Sequence, residues 1–264
     1  MLELNHVYKT FNPGTINAKT ALQDLCLTLN DGDFVTVIGG NGAGKSTMLN
    51  AVAGTFAVDA GTIAIDGKDV THLPEHKRAQ FIGRVFQDPM MGTAPTMQIE
   101  ENLALAARRG KRRGLAWGIT RAEREEYREK LKTLGLGLED RMTSKVGLLS
   151  GGQRQALTLL MASLRRPELL LLDEHTAALD PATAAKVLEL SDQIVAENHL
   201  TAMMITHNMR DAIIHGNRLI MMNAGKIILD ISGEEKKQLT KEDLLARFAA
   251  VAGQQEETDS VLLS

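Results

Sequence analysis

A short segment beginning at residue 39 combines closely spaced glycines with a lysine and two hydroxyl side chains. It follows the β-branched run Val35–Ile38, and a helix is predicted to begin at Ser46. Glycines let the backbone approach phosphates closely, and the start of the helix directs N–H groups and partial positive charge at the same anion. Lys45 is expected to reach the β- and γ-phosphates of a nucleoside triphosphate, and the Ser46 hydroxyl to bind Mg²⁺. The segment consists of Gly39, Gly40, Asn41, Gly42, Ala43, Gly44, Lys45, Ser46 and Thr47.

Two adjacent acids follow a second apolar run, Leu169–Leu172. A run of this length suits a buried parallel strand. Asp173, at the end of such a strand, is expected to hold Mg²⁺, and Glu174 to act as a general base that polarises a water for attack on the γ-phosphate. Adjacent acids after a strand can also simply cap the next helix. The complete phosphate-binding loop in the same chain favours catalysis.

A second glycine-containing helix start lies more than a hundred residues after the first. Ser150 is a good N-cap residue, Gly151 and Gly152 expose backbone N–H groups, and Gln153 begins an apolar helical stretch. Seen alone, these residues indicate a capped helix with a glycine turn. Together with the first loop and the paired acids, they predict a second anion-binding terminus. The two termini could hold one triphosphate within one chain or between two chains.

The order of the predicted elements indicates an α/β protein. Short apolar strands alternate with helices along most of the chain, which predicts a mostly parallel sheet with helices on both faces. The N-terminal region instead contains half-buried strands separated by turns, at Leu2–Tyr8, Ala21–Leu29 and Gly61–Ile65. This pattern predicts an antiparallel β layer beside the parallel sheet.

The segment between residues 88 and 165 contains almost no strand signal and is predicted to be a helical lobe. Thr120 and Glu123 form a predicted capping box within it. The predicted division is a catalytic lobe made of residues 1–87 and 166–252, a helical lobe made of residues 88–165, and a flexible tail at residues 253–264.

Composition narrows the class of protein. The 264-residue chain carries a formal charge of −3, so no general electrostatic attraction to nucleic acid is expected. Cys26 is the single cysteine, which excludes an intrachain disulfide and fits a reducing compartment. No apolar run approaches the roughly 18–20 residues that span a bilayer. The N terminus also lacks the pattern of a signal peptide.

With these motifs the chain resembles the ATP-binding-cassette (ABC) family over nearly its whole length. Leu149–Gln153 is identical to the family's signature sequence. Gln87 matches the glutamine that contacts Mg²⁺ and the attacking water, and Asp180 matches the aspartate of the loop that communicates across a dimer. His207 matches the histidine that contacts the γ-phosphate, and Phe11 lies where the family places an aromatic ring against adenine. Tyr8 is a competing stacking residue, and Phe11 could instead be a core aromatic.

The resemblance implies a P-loop NTPase fold and a mechanism that needs two cassettes. In the family, each ATP lies between the phosphate-binding loop of one cassette and the signature motif of the other. Ser150, Gly151, Gly152 and Gln153 are therefore expected to complete the site of a second cassette, which we expect to be an identical chain. The expected partners are a transmembrane permease, docked on the helical lobe, and a separate substrate-binding protein. The expected location is the cytoplasmic face of the cell membrane, as a peripheral subunit.

Two features depart from the common family pattern. His175 follows Glu174 where most members have proline, so it is interpreted either as a tolerated substitution or as a titrating group beside the base. The loop Asn12–Lys19 is longer than in many cassettes. Together these features resemble an importer subgroup that includes aromatic amino-acid uptake systems.

Three functions are weighed. The favoured one is the ATP-hydrolysing subunit of an ABC importer, and the alternative is a soluble ABC ATPase acting on nucleic acid or ribosomes. A regulatory cassette that binds ATP without hydrolysis is disfavoured because Lys45, Asp173, Glu174 and His207 are all present. The basic run Arg108–Arg113 is interpreted as a solvated turn, with contact to anionic lipid as the minority alternative.

Overall fold

The computed structural model describes residues 1–111 and 118–250 of the chain, so the predicted tail at 253–264 lies outside the described residues. The strands are β1 (Leu2–Phe11), β2 (Lys19–Leu29), β3 (Phe34–Gly39), β4 (Ala60–Ile65), β5 (Lys68–Asp69), β6 (Ile82–Val85), β7 (Leu169–Asp173), β8 (Ala202–Ile205), β9 (Arg218–Asn223) and β10 (Lys226–Ser232). The helices are α1 (Lys45–Ala53), α2 (Glu75–Arg78), α3 (Ile99–Ala107), α4 (Arg121–Lys132), α5 (Gly151–Ser163), α6 (Pro181–Asn198), α7 (Met209–Ile214) and α8 (Gly233–Lys237), and residues 241–250 are also helical.

A six-stranded sheet, in the order β10-β9-β3-β8-β7-β6, forms the centre of the molecule. Its strands pair in parallel except for β10, which runs antiparallel to β9. β3, β7 and β8 are almost wholly buried, which explains why they are apolar apart from Thr36 of β3 and Asp173 at the end of β7. Because their carboxyl ends lie at one edge of the sheet, Gly39, Asp173 and the residues after Ile205 come together there.

The N-terminal strands form a separate antiparallel sheet in the order β2-β1-β4-β5, as predicted. Alternate residues of these strands, such as Leu2, Leu22 and Ile63, share one apolar cluster with Val37 of β3 and Met48 of α1. Burial of this cluster holds the antiparallel sheet against α1 and one face of the central sheet.

Helices α3, α4 and α5 pack on the other face of the central sheet. Leu103, Tyr127 and Leu157 lie in one apolar cluster with Leu170 and Met204. These helices occupy the described part of the chain between β6 and β7. The exact division at residues 88 and 165 stays a prediction.

The predicted capping box at the start of α4 is present. The Thr120 hydroxyl accepts a hydrogen bond from the Glu123 N–H at 3.2 Å, and the Glu123 carboxylate accepts one from the Thr120 N–H at 2.7 Å. Two orphan donors of the first turn are thereby satisfied within the helix itself.

The first two arginines of the basic run face the protein. Arg108 contacts Glu123 at 3.1 Å, and Arg109 donates a hydrogen bond to the Ala162 carbonyl at 3.1 Å. Arg112 and Arg113 lie outside the described residues. In the part of the chain that the structure describes, no helix has both the length and the apolar character needed to cross a bilayer.

Candidate nucleotide site

A pocket of about 270 Å³ lies at the carboxyl edge of the central sheet. Three separate parts of the chain meet in it: the end of the antiparallel hairpin β1–β2, the loop between β3 and α1, and the residues that follow β7 and β8. Its lining consists of Phe11, Lys19, Ala21, Asn41, Gly42, Ala43, Gly44, Lys45, Ser46, Thr47, Glu174 and His207.

The loop before α1 is shaped for an anion. Gly44 occupies the N-cap position with a φ of 101°, and no side chain caps the helix start. A Cβ on Gly44 would lie 2.6 Å from the Ala21 carbonyl oxygen, so the close approach to β2 requires glycine. The first-turn N–H groups therefore have no competing side-chain acceptor and can bind phosphate oxygens.

Lys45 is held beside the loop by the loop's own backbone. Its Nζ donates hydrogen bonds to the carbonyls of Gly39 at 2.8 Å and Gly40 at 3.1 Å, and the residue is only 5% exposed. Burial lowers the pKa of Lys45, and the negative charges of Glu174 and Asp173 oppose that shift. A phosphate would offer the ammonium group stronger, charge-assisted hydrogen bonds than the two carbonyls do.

Glu174 and His207 form a close pair across the ends of β7 and β8. Glu174 Oε1 lies 2.5 Å from His207 Nε2, and the glutamate side chain is the more buried of the two. The Glu174 backbone has a φ of 46°, in the left-handed region, and its N–H donates to the Ile205 carbonyl at 3.1 Å. A non-glycine residue in this region is strained and needs support from its surroundings.

Asp173 lines a neighbouring pocket together with Gln87. This second pocket, of about 650 Å³, also contains Asn50 and Arg84. Burial raises the pKa of Asp173, and the guanidinium of Arg84, 3.4 Å from Asp173 Oδ2, opposes that shift. Arg84 also donates a 2.6 Å hydrogen bond to Asn50 and stacks on Phe86, which fixes its position independently of Asp173.

Phe11, rather than Tyr8, is the aromatic residue at the first pocket. Its ring packs edge-to-face on Phe56 at a centroid distance of 5.3 Å, and the Lys9 ammonium lies 5.6 Å from its centroid. Tyr8 is absent from the lining, and its hydrogen bond to Asp24 raises the pKa of its hydroxyl.

His175 is buried at 1% exposure, and its Nε2 lies 2.9 Å from the Ser191 hydroxyl of α6. Burial, together with a smaller effect of the nearby His215, lowers the pKa of His175 to about 4. The ring is therefore neutral at physiological pH, which favours a structural role over a titrating group beside Glu174.

The second predicted terminus satisfies two of its own N–H donors. The Ser150 hydroxyl accepts from the Gln153 N–H at 3.3 Å, and the Gln153 side chain accepts from the Ser150 N–H at 3.2 Å. Packing against α6 also requires glycine at position 152, because a Cβ there would lie 2.1 Å from Cγ2 of Thr183. Within the described chain, neither Ser150 nor Gly151 lines the pocket around the first loop.

Asp180 caps α6 at the same surface. Its carboxylate accepts a hydrogen bond from the Thr183 N–H at 3.1 Å, and this hydrogen bonding lowers the pKa of Asp180. Asp180 is exposed, as are Ser150 and Gly151, whereas Gly152 is buried, and none of these four residues lines the first pocket. The structure thus brings together Phe11, the loop, Glu174 and His207, and leaves the signature residues and Asp180 outside that pocket.

Two residues near the site were missed by sequence reasoning. Lys19 is the register partner of Phe11 at the end of the β1–β2 hairpin, and its Nζ would lie 3.3 Å from a Cβ placed on Gly42. Arg84 lies in β6, a four-residue strand that was not predicted. The sequence offers two signals: a lysine at the end of the loop Asn12–Lys19 and an arginine three residues before Gln87. Neither signal predicts a site residue unless the strand register is known.

A glycine-rich loop between a buried strand and a helix, with acids at the end of another strand of the same sheet, defines a nucleoside triphosphatase of the P-loop class. Comparison with known proteins narrows this class. Residues 22–177 match the family model described as ABC transporter. The chain is 44% identical to the tyrosine transport ATP-binding protein of Clostridioides difficile (strain R20291), over 94% of this chain and 98% of that protein.

Two more distant relatives agree with that match. The chain is 34% identical to the spermidine/putrescine import ATP-binding protein PotA of Haemophilus ducreyi, over 94% of this chain and 62% of that longer protein. A solved dimeric structure of the ATP-binding cassette MJ0796, in a post-hydrolysis state bound to ADP and Pi, superimposes with a TM-score of 0.74 at 30% identity. It covers 88% of this chain and 98% of the other.

The chain belongs to the ABC transporter family, as an ATP-binding, ATP-hydrolysing subunit. The family and the superposition confirm the predicted cassette fold and the predicted ATPase function. The alternative of an ABC ATPase acting on nucleic acid or ribosomes is not favoured, because the relatives are transport ATP-binding proteins.

Proposed function

We propose that the pocket around the first loop binds ATP and that the chain uses its hydrolysis to drive import through a membrane permease. The observation that carries this proposal is the convergence of Phe11, the phosphate-binding loop, Glu174 and His207 on one pocket. The lining offers an aromatic ring for adenine, a glycine-rich loop for the phosphates and a glutamate for the attacking water.

The residues around the loop also fit Mg²⁺. Ser46, Asp173 and Gln87 offer a hydroxyl, a carboxylate and an amide oxygen, which are the hard ligands that this ion prefers. Bound there, Mg²⁺ would supply charge neutralisation at the β- and γ-phosphates. The Arg84 guanidinium lies 3.4 Å from Asp173 Oδ2, so Mg²⁺ would share this carboxylate with a positive charge.

Glu174 is placed to accept a proton from the attacking water. In this structure Glu174 Oε1 lies 2.5 Å from His207 Nε2. A shift of His207 towards the γ-phosphate would free the carboxylate for the attacking water. Lys45 would exchange the carbonyls of Gly39 and Gly40 for phosphate oxygens, without crossing any barrier larger than a side-chain rotation.

A second copy of the chain supplies the rest of the site. Ser150 and Gly151 are exposed at the start of α5, with Gly152 buried behind them, and Asp180 is exposed at the start of α6. All four lie outside the pocket of their own chain. Packing two chains head to tail would bring this surface onto the γ-phosphate of the partner's ATP. ATP would then stabilise the closed dimer, and its hydrolysis would release it.

The transport relatives support a membrane permease as the partner of this chain. The tyrosine transport relative, at 44% identity, favours an aromatic amino acid as the transported molecule. The chain would act at the cytoplasmic face of the cell membrane, with a permease docked on the helical segment 88–165 and a separate substrate-binding protein on the far side.

The test is hydrolysis by the purified chain and its Glu174→Gln variant. We expect the variant to bind Mg²⁺-ATP as tightly as the wild type while its hydrolysis falls by about 100-fold or more, since only the proton acceptor is removed. Co-expression with the permease encoded nearest to it should stimulate the wild type and not the variant. Normal turnover by Glu174→Gln would contradict the assignment.

A further inference from the structure

Helix α6 carries two adjacent polar residues that reach towards the two catalytic segments. Ser191 and Asp192 lie in the last turns of the helix, and each contacts a histidine from a different part of the chain. One histidine directly follows Glu174, and the other ends the short helix that begins just after His207. Neither contact lines the nucleotide pocket.

The first contact is a buried hydrogen bond. The Ser191 hydroxyl oxygen lies 2.9 Å from the Val187 carbonyl and 2.9 Å from His175 Nε2. When the hydroxyl donates its single proton to Val187, it accepts from His175 in the Nε2-protonated tautomer. With both residues at 1% exposure, no water competes for the bond, and it ties the backbone beside Glu174 to α6.

The second contact fixes the segment behind His207. His215 Nδ1 lies 2.7 Å from the Asp192 carboxylate, and the side chain of Lys236 donates hydrogen bonds to the carbonyls of His215 and Gly216. At the other end of α7, the Asn208 side chain accepts from the Arg210 N–H at 2.9 Å. This six-residue helix is held at both ends, and its N-cap, Asn208, directly follows His207, so the position of the helix constrains His207 through one intervening residue.

We propose that α6 is the positioning element for the Glu174–His207 pair: Ser191, through His175, sets the backbone of the base, and Asp192, through His215, sets the segment that carries His207. The proposal rests on the proposed roles of Glu174 and His207. The hydrogen bond between His175 and Ser191 restrains the backbone next to Glu174, whose φ of 46° needs support from its surroundings. The same helix begins at Asp180, so the surface expected to meet a second chain and the catalytic pair share one rigid body.

The proposal predicts a loss of turnover without a loss of ATP binding. Ser191→Ala removes one hydroxyl and leaves the packing unchanged, and His175→Phe keeps a buried ring but removes the donor. Each should lower kcat by about tenfold, since small misplacements of a catalytic group cost one to two orders of magnitude. KM for ATP should stay within about twofold, because Phe11, Lys45 and the loop are untouched.

A double-mutant cycle separates positioning from general destabilisation. Since both changes remove the same bond, the His175→Phe/Ser191→Ala double variant should be no slower than the slower single variant. Asp192→Ala should show the same kcat-only loss through His215. Gln193→Ala is the matched control, because Gln193 is the next residue of α6, is exposed and bonds only to Glu197 in the described structure.

Ser191→Ala and His175→Phe turning over at the rate of Gln193→Ala would overturn the proposal, as would full additivity of the two losses. Glu174→Gln, measured in parallel, keeps the two claims apart. An inactive Glu174→Gln with a normal Ser191→Ala contradicts the positioning role alone. An active Glu174→Gln contradicts the proposed function itself.

Discussion

The two glycine-rich helix starts of this chain look alike in sequence and differ in structure. At α1, the N-cap is Gly44, no side chain caps the helix, and the first turn opens into a pocket shared with Glu174 and His207. At α5, the N-cap is Ser150, and a complete capping box with Gln153 satisfies the first turn at an exposed surface. One terminus keeps its donors for a ligand, while the other is already stable without one.

This difference explains why two such termini occur in one protein. An uncapped terminus costs stability unless a ligand satisfies it, so α1 gains when a triphosphate binds. A capped terminus is stable at the surface without a ligand. Its remaining N–H groups and partial positive charge bind an anion only when another molecule presents one. The asymmetry fits one strong binding site per chain, completed by a weaker contact from a second chain.

The largest expected effect comes from removing the ammonium group of Lys45, the first residue of α1. Lys45→Ala should abolish measurable hydrolysis, with a loss of about 100-fold or more, because the charge developing on the phosphates loses its buried counter-ion. The measurement is steady-state phosphate release, with Lys186→Ala on the exposed face of α6 as the control. If Lys45→Ala retained even a tenth of the wild-type rate, the result would contradict a catalytic role for the loop.

The next effect separates the two termini. Ser150→Ala should leave ATP binding to the single chain unchanged and lower hydrolysis by about tenfold, because it weakens only the contact made in the closed dimer. Thr120→Ala is a close control, since Thr120 caps α4 with the same capping box at a nearly equal distance. Both variants should lose about 1 kcal/mol in the free energy of unfolding. Equal hydrolysis by the two variants would reduce Ser150 to an ordinary cap.

A smaller effect is expected at the pocket wall beside α1. Lys19→Met keeps the aliphatic stem but removes an ammonium group that lies next to Gly42. KM for ATP should rise by about fivefold with kcat unchanged, in line with about 1 kcal/mol for an exposed ion pair. Adenosine, which has no phosphate, should bind both proteins equally. A parallel loss of adenosine affinity would show that Lys19 supports Phe11 rather than the phosphates.

The smallest expected effect concerns Asp173, the acid expected to hold Mg²⁺ at the nucleotide site. Arg84 places a positive charge 3.4 Å from Asp173, and this charge opposes a cation at the same carboxylate. Arg84→Met should therefore lower the Mg²⁺ concentration that gives half-maximal hydrolysis, by about threefold. The measurement is a titration of Mg²⁺ at saturating ATP, with the rate of hydrolysis as the readout. A higher Mg²⁺ requirement would mean that Arg84 orients Asp173 for the metal instead.

Sequence reasoning was most successful where a motif depends on consecutive residues. The loop at Gly39–Thr47, the acids after β7 and the capped start of α5 each carry their chemistry in one short segment, and the structure brings the first two to one edge of the sheet. The strands β3, β7 and β8 were predictable because burial on both faces leaves a nearly uninterrupted apolar run.

What the sequence could not show depends on pairing between distant segments. Lys19 reaches the pocket because it pairs with Phe11, and β1 reaches that register only after several irregularities between Leu4 and Thr10. The bonds from α6 to His175 and His215 join residues separated by 16 and 23 positions. β6 was missed because Gly83 and Arg84 interrupt its apolar pattern.

The shared ATP site is tested most directly by the mass of a trapped complex. Glu174→Gln, loaded with Mg²⁺-ATP, should sediment as a dimer of two identical chains and return to a monomer when ATP is replaced by ADP. The added change Ser150→Ala should shift the dimer towards monomer, whereas Thr120→Ala should not. A Glu174→Gln protein that stays monomeric with ATP at high concentration, alone and with its permease, would contradict the account.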